Sequence, residues 1–210
     1  MRAARLFRFP VKGFPAEELT EARVVRDRGI RGDRIAAFTN GSLDVPADAW
    51  HSYSAFTVLK NDTDLQKWQV AATLPEATDT ESAIESGPDD RNSTVEAADH
   101  DSATVTLTAP TGESTTFSTG DDQGRAASAS FLSERIPPQG TFPRCLAVAD
   151  QGMFDSQRSG VSLINPATVA AIAETDEGRA ALGTDNDELD PLRFRGNVLV
   201  EGLAPFEEFA

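Results

Sequence analysis

The amino-acid sequence predicts an α+β fold rich in β-structure, and three observations carry that expectation. Short runs of alternating apolar and polar residues recur along the chain, most of them closed by Gly, Pro, Asn or Asp. Few segments have helical spacing, and the two clearest carry their own start signals, Asp121-Asp122 and Asn165-Pro166. The length, 210 residues, gives room for one large domain or two small ones with a core.

Residues 4–9 read as a strand stopped by Pro10, and residues 20–26 as a second with Ala22, Val24 and Arg26 on one face. Gly29 and Gly32 punctuate a tight connection into a third strand over 34–39, which makes the first forty residues a meander. A Gly/Pro/Asp loop over 40–48 leads to a mixed apolar segment, 53–60, with helical character, and to a weakly alternating strand over 68–74. Residues 75–92 are rich in Asp, Glu, Ser, Thr, Gly and Pro and read as a surface excursion. Strands follow over 93–97 and 103–109, around the acidic turn 98–102. Pro110-Thr111-Gly112 then turns the chain into a strand over 114–118.

Asp121 and Asp122 suit the cap of a helix running to Ile136, with Ala127, Phe131, Leu132 and Ile136 inward and Pro137-Pro138 as its stop. Residues 144–149 read as a buried strand, 150–160 as a loop, and 161–164 as a short strand. Asn165 as cap and Pro166 at the first helical position then open a helix with Val169, Ile172 and Ala173 inward. Residues 176–182 continue it after a break, and residues 197–200 form a last strand.

Charge is unevenly placed. Residues 1–34 hold eight arginines and Lys12 against five acids, while the remaining residues hold ten bases against twenty-nine acids, and the whole chain carries −15. The basic stretch suits an anion-binding face, since arginine presents a planar fork of donors to phosphate or carboxylate oxygens. It also suits solvated strand edges. A net charge of −15 argues against non-specific binding to nucleic acid or to an anionic membrane. No apolar run approaches the length of a membrane span, and no signal-peptide core forms before Pro10, so cytoplasm is the expected location. One cysteine excludes an internal disulfide, and His51 and His100 have no second ligand at metal spacing. Three lysines among thirty-four acids and sixteen arginines suit a high-salt cytoplasm or an Arg-rich genome equally.

Three segments carry a family pattern. Phe9-Pro10-Val11-Lys12-Gly13 looks like an aromatic-Pro-Val/Ile-Lys-Ser/Gly opening, and Gly29-Ile30-Arg31-Gly32-Asp33-Arg34 is similar to a Gly-Leu-x-Gly-Asp-Arg turn. Val161-Ser162-Leu163-Ile164-Asn165, a helix, Arg193-Phe194-Arg195-Gly196-Asn197 and Pro205-Phe206-Glu207-Glu208 complete the series. In this order the segments resemble the molybdenum-cofactor sulfurase C-terminal (MOSC) domain family. The resemblance implies an N-terminal β domain over 1–120 and a MOSC-type β-barrel domain with a few helices over 121–210. It implies the molybdenum cofactor, an anionic pterin with a dithiolene and a phosphate, as ligand. The implied activity is reduction of N-hydroxylated compounds or carriage of sulfur for the cofactor, with an electron-transfer or sulfur-donor protein as partner. Pyridoxal phosphate binding is a further property associated with the family.

Residue by residue, Lys12 and Arg34 match the family's basic cofactor-binding positions, with Arg31 a turn residue beside them. Ser162, or Ser159 nearby, would donate to an oxygen, and Arg195 and Asn197 would supply donors at the barrel edge. Three of these assignments have a structural alternative: Lys12 as an edge-strand lysine, Arg34 as a partner of Asp33 or a local carbonyl, and Arg195, together with Arg193, as a brace for the acidic loop 185–190. The family's metal-ligating cysteine lies beyond the segment matching 205–208, so no metal ligand is assigned and the barrel is expected to be C-terminally incomplete. Arg144-Cys145 precedes the Ser-Leu-Ile-Asn strand, the wrong order for that motif, and Cys145 reads as a small apolar residue in a strand. A reading in a different class is a non-catalytic anion-binding or protein-interaction module that keeps the basic N-terminal face.

Overall fold

A computed structural model describes residues 1–25, 28–76, 103–149, 152–156, 158–182 and 189–209. The strand expected over 93–97, the acidic turn 98–102 and nearly all of the excursion at 75–92 lie outside the described residues. Strand β1 (Arg2–Arg8) is followed by β2 (Glu17–Leu19), β3 (Val24–Val25), β4 (Gly29–Ile30) and β5 (Ala37–Phe38). Strands β6 (Gln69–Thr73), β7 (Thr104–Thr108) and β8 (Ser114–Ser118) lead to helix α1 (Asp122–Ser133). Then come β9 (Leu146–Ala147), β10 (Leu163–Ile164), α2 (Pro166–Ala173), α3 (Asp176–Leu182) and β11 (Val198–Glu201). The architecture is mixed α+β and rich in strands. These form open sheets in the orders β10-β11-β1-β2, β3-β4, β5-β9 and β6-β7-β8, and no barrel closes among the described residues.

The β6-β7-β8 sheet is antiparallel, and its alternation builds the main core. Val105 and Leu107 are fully buried, while Thr106 faces outward and meets Thr116 across the strands at 2.9 Å. With Phe117 they pack against Phe14, Phe38, Trp68, Leu132 and Leu146. Helix α1 begins where Asp121 accepts from the backbone N–H groups of Gln123 and Gly124. Its buried residues are Ser128, Ala129 and Leu132; Ala127 is exposed, a one-position rotation from the expected face.

Further local expectations are corrected. Residues 20–26 are not one strand: β2 ends at Leu19, and in β3 Val25 is buried while Val24 is 65 % exposed. Alternation fixes only a period of two, and the pairing of Val25 with Gly29 selects the opposite phase. Residues 53–60 make a single 3₁₀ turn, Tyr53–Ala55, because the following backbone is taken by strand β5. Thr57 N–H donates to the Phe38 carbonyl at 2.8 Å, and Asn40 N–H to that of Ala55 at 2.9 Å. In α2, Val169 is buried as expected but Ile172 is exposed.

Strands from before and after residue 120 share two sheets: β1 pairs with β11, and β5 with β9. The β1–β11 pairing brings residues 195–199 beside the first strand, and the Val11–Ala36 bridge with the Arg34 N–H donating to the Phe9 carbonyl at 2.7 Å brings 33–38 against 9–14. No helix among the described residues is long and apolar enough to cross a membrane.

Candidate functional site

Past the end of β1, Val11 bridges to Ala36, and the Lys12 N–H donates to the Ala36 carbonyl at 2.8 Å. Gly13 then turns the chain at φ +86°, and a Cβ there would lie 2.5 Å from the Thr57 carbonyl oxygen, so only glycine fits. This places Lys12 with a side chain only 4 % exposed. Its ammonium donates to the Phe154 carbonyl at 3.0 Å, pairs with Asp155 at 2.9 Å and lies 5.4 Å from the centre of the Phe56 ring. Burial pushes the Lys12 pKa down. The Asp155 carboxylate opposes the shift, and the charges of Arg34 and Arg195 add to it.

The turn before β5 supplies Arg34. Asp33 is buried, accepts from the Phe9 N–H at 2.7 Å and pairs with the Arg34 guanidinium. Arg34 also donates to the Arg195 carbonyl at 3.2 Å and stands 5.1 Å and 5.4 Å from the ring centres of Phe9 and Phe154. The structural alternative for Arg34 therefore holds together with its place in the cluster: Asp33 is the group that aims it.

Arg195 closes the 3₁₀ turn Pro191–Phe194, where its N–H donates to the Leu192 carbonyl. One guanidinium nitrogen donates to the Phe14 carbonyl at 2.8 Å, and the guanidinium carbon lies 4.3 Å from the centre of the Phe9 ring. The other terminal nitrogen, Nη2, is buried and has no hydrogen-bond partner. Burial, with the Arg34 charge adding, lowers the Arg195 pKa to about 10, against the pull of Asp33 and Asp155. Lys12, Arg34 and Arg195, from three distant segments, thus gather around Phe9 and Phe154.

Backbone strain marks the same place. The non-glycine residues with positive φ among those described are Arg34 (51°), Arg195 (54°) and Phe206 (66°). A left-handed backbone costs a residue with a Cβ roughly 1–2 kcal/mol, and such strain clusters where a side chain must be aimed. Both site arginines carry it. Three cations in partly dehydrated surroundings, two with depressed pKa values, face the two carboxylates of Asp33 and Asp155, so positive charge is in excess at this place.

The other expected site residues lie outside this cluster. Arg31 is half-buried and donates to the Pro75 carbonyl at 2.6 Å. Asn197 is buried; its side-chain carbonyl accepts from the Ser162 N–H at 3.2 Å and hydroxyl at 2.9 Å, and its amide donates to the Phe7 carbonyl at 3.3 Å. Ser162 and Asn197 clip β11 to the segment entering β10. Gly196 lets that clip close, since a Cβ there would lie 2.1 Å from the Ile164 side chain. Cys145 is half-buried beside Thr39, whose hydroxyl accepts from the Cys145 N–H at 2.9 Å and donates to its sulfur at 3.6 Å. Among the described residues no group of three or more His, Cys, Asp or Glu side chains stands ready to hold a metal.

Sequence reasoning missed the residues that complete the site. Phe154 and Asp155 lay in a segment read only as a loop, and Trp50, whose indole N–H donates to the Phe154 carbonyl at 2.8 Å, had no motif. A carbonyl acceptor leaves no trace in sequence, because every residue has one. Comparison of the chain with protein-family models, curated proteins and solved structures found no match.

Proposed function

We propose that this chain is a molybdenum-cofactor-binding protein of the MOSC type, whose Lys12, Arg34 and Arg195 take the anionic oxygens of the cofactor. The observation that carries the proposal is the convergence of these three cations around Phe9 and Phe154, each from a segment that carries the family resemblance. The unpartnered, buried Nη2 of Arg195 fits such a ligand, because an anionic oxygen supplies the acceptor it lacks. Bound cofactor would supply redox or sulfur-transfer chemistry. The protein's part is to bind and orient: Asp33 holds Arg34, and the Phe14 carbonyl holds Arg195. For the metal itself the described residues offer no assembled donor set, and Cys145 is engaged with Thr39. The proposed location is the cytoplasm, and the proposed partner an electron-transfer or sulfur-donor protein.

A second reading, a non-catalytic module that takes phosphate or sulfate groups through the same cations, is supported by the cluster itself, which offers three cations and the unpartnered Nη2 of Arg195 to any tetrahedral oxyanion. One experiment separates the two. Protein made in a cofactor-competent host is assayed for molybdenum and, after oxidative release, for pterin fluorescence, alongside Lys12→Met. Near-stoichiometric pterin, reduced at least tenfold in the variant, supports the first reading. Sulfate binding that depends on Lys12, without pterin, supports the second. A pterin content that Lys12→Met leaves unchanged removes the cation cluster from the site.

A further inference from the structure

The two carboxylates of the cluster are held differently. Asp33 has a side chain 0 % exposed, and it accepts from the Phe9 backbone as well as pairing with Arg34. Releasing it would strip a buried N–H of its acceptor. Asp155 has a side chain 83 % exposed and reaches in from solvent to a lysine side chain that is 4 % exposed. The backbone on which Asp155 stands is secured without its carboxylate. Trp50 and Lys12 both donate to the Phe154 carbonyl, and the Met153 N–H donates to the Arg34 carbonyl at 2.7 Å. The carboxylate can therefore swing into water while the segment keeps its place.

We propose that Asp155 is an internal, exchangeable counter-ion: it occupies the ammonium of Lys12 in the free protein and is displaced when a tetrahedral oxyanion, a sulfate or phosphate group, engages Lys12, Arg34 and Arg195. This rests on the anion-binding reading of the cluster given above. Its consequence is a tax on every incoming anion. Releasing Asp155 from Lys12 takes the same free energy whatever replaces it, so the penalty is independent of ligand charge. A carboxylate that stayed in place and merely repelled would act about twice as strongly on a dianion as on a monoanion.

Sulfate and perchlorate separate these cases, being tetrahedral anions of charge −2 and −1. Binding of each is measured by calorimetry at low ionic strength to the wild-type chain and to Asp155→Asn. The Trp50 indole N–H resonance reports whether the segment around Phe154 keeps its place in the variant. The expected result is an unchanged Trp50 resonance and affinities raised by an equal factor for both anions, about fivefold for an ion pair with one exposed partner. In a Lys12→Met background the further change Asp155→Asn should give no gain. A gain markedly larger for sulfate than for perchlorate overturns displacement in favour of repulsion. Sulfate binding that is equal in wild type and Asp155→Asn overturns the counter-ion role alone. No sulfate binding by either protein overturns the anion-binding reading and the counter-ion role together.

Discussion

Burying a lysine is justified only by what its charge does. Lys12 has a side chain 4 % exposed and a depressed pKa, so its charged form is less favoured in the folded chain than in the unfolded one. For a base with a lowered folded pKa, the unfolded state binds more protons between the folded value and the unfolded 10.5. Stability therefore rises with pH across that window, and at neutral pH the penalty is present in full. Lys12→Met should then stabilise the protein at pH 7 by about 1 kcal/mol, because it removes a desolvated charge whose carboxylate partner is exposed and so is not left buried and uncompensated. The Phe154 carbonyl keeps its bond from Trp50, and the exposed Asp155 turns to water. Urea unfolding of both chains from pH 7 to 10.5 checks the sign, since the variant's advantage should shrink as pH rises. A destabilised variant at pH 7 would make Lys12 a structural residue. Lys12, Arg34 and Arg195 stood out in the sequence because each lies in a segment that resembles a family motif, and their convergence is what the structure adds. Asp155 and Trp50 did not, because Asp155 meets Lys12, and Trp50 meets the Phe154 carbonyl, only across more than a hundred residues of chain.

Elements whose ends are marked by side chains were the most legible. Asn165 is such a marker and also more than a cap. Its carbonyl oxygen accepts from the Ala167 N–H at 3.0 Å, opening α2. Its amide donates to the Ala204 carbonyl and to Glu208, each at 2.8 Å, tying the segment after β11 to the start of the helix. The two roles separate by substitution. Asn165→Ser keeps a capping oxygen and loses the tether, with an expected loss of about 1 kcal/mol. Asn165→Ala loses both, with an expected loss of about 2 kcal/mol. Equal losses in urea unfolding would mean that the cap contributes nothing here. Where no side chain marks the element, local pattern failed. Residues 53–60 are mixed apolar and make a helix candidate, but long-range pairing of Thr57 with Phe38 takes their backbone first. Such tertiary competition is invisible to a local window.

At the scale of the whole molecule the pairing of β1 with β11 and the bridge of Val11 to Ala36 decide where the cations meet, and strands of two to seven residues carry too little pattern to announce such partners. Charge, by contrast, is legible from composition alone. The −15 net charge is distributed over a surface on which some ion pairs join two exposed groups, such as Arg2–Glu201, Arg5–Glu18 and Lys67–Asp64. Each such pair contributes about 0–1 kcal/mol and is weakened by salt, whereas the repulsion among excess carboxylates is relieved by it. With acids outnumbering bases thirty-four to nineteen, relief should win. The melting temperature is expected to rise by several degrees, on the order of 5 °C, between low and molar potassium chloride. A flat or falling melting temperature would show that surface repulsion does not limit this fold. Potassium sulfate at matched ionic strength adds a second contrast. Sulfate stabilises proteins generally by exclusion from their surface, and additionally here if it occupies the cation cluster. Lys12→Met removes only the specific part, so the sulfate-over-chloride increment should be smaller in the variant than in the wild-type chain. An equal increment in both would assign the whole effect of sulfate to surface exclusion and leave the cluster without a ligand of that class.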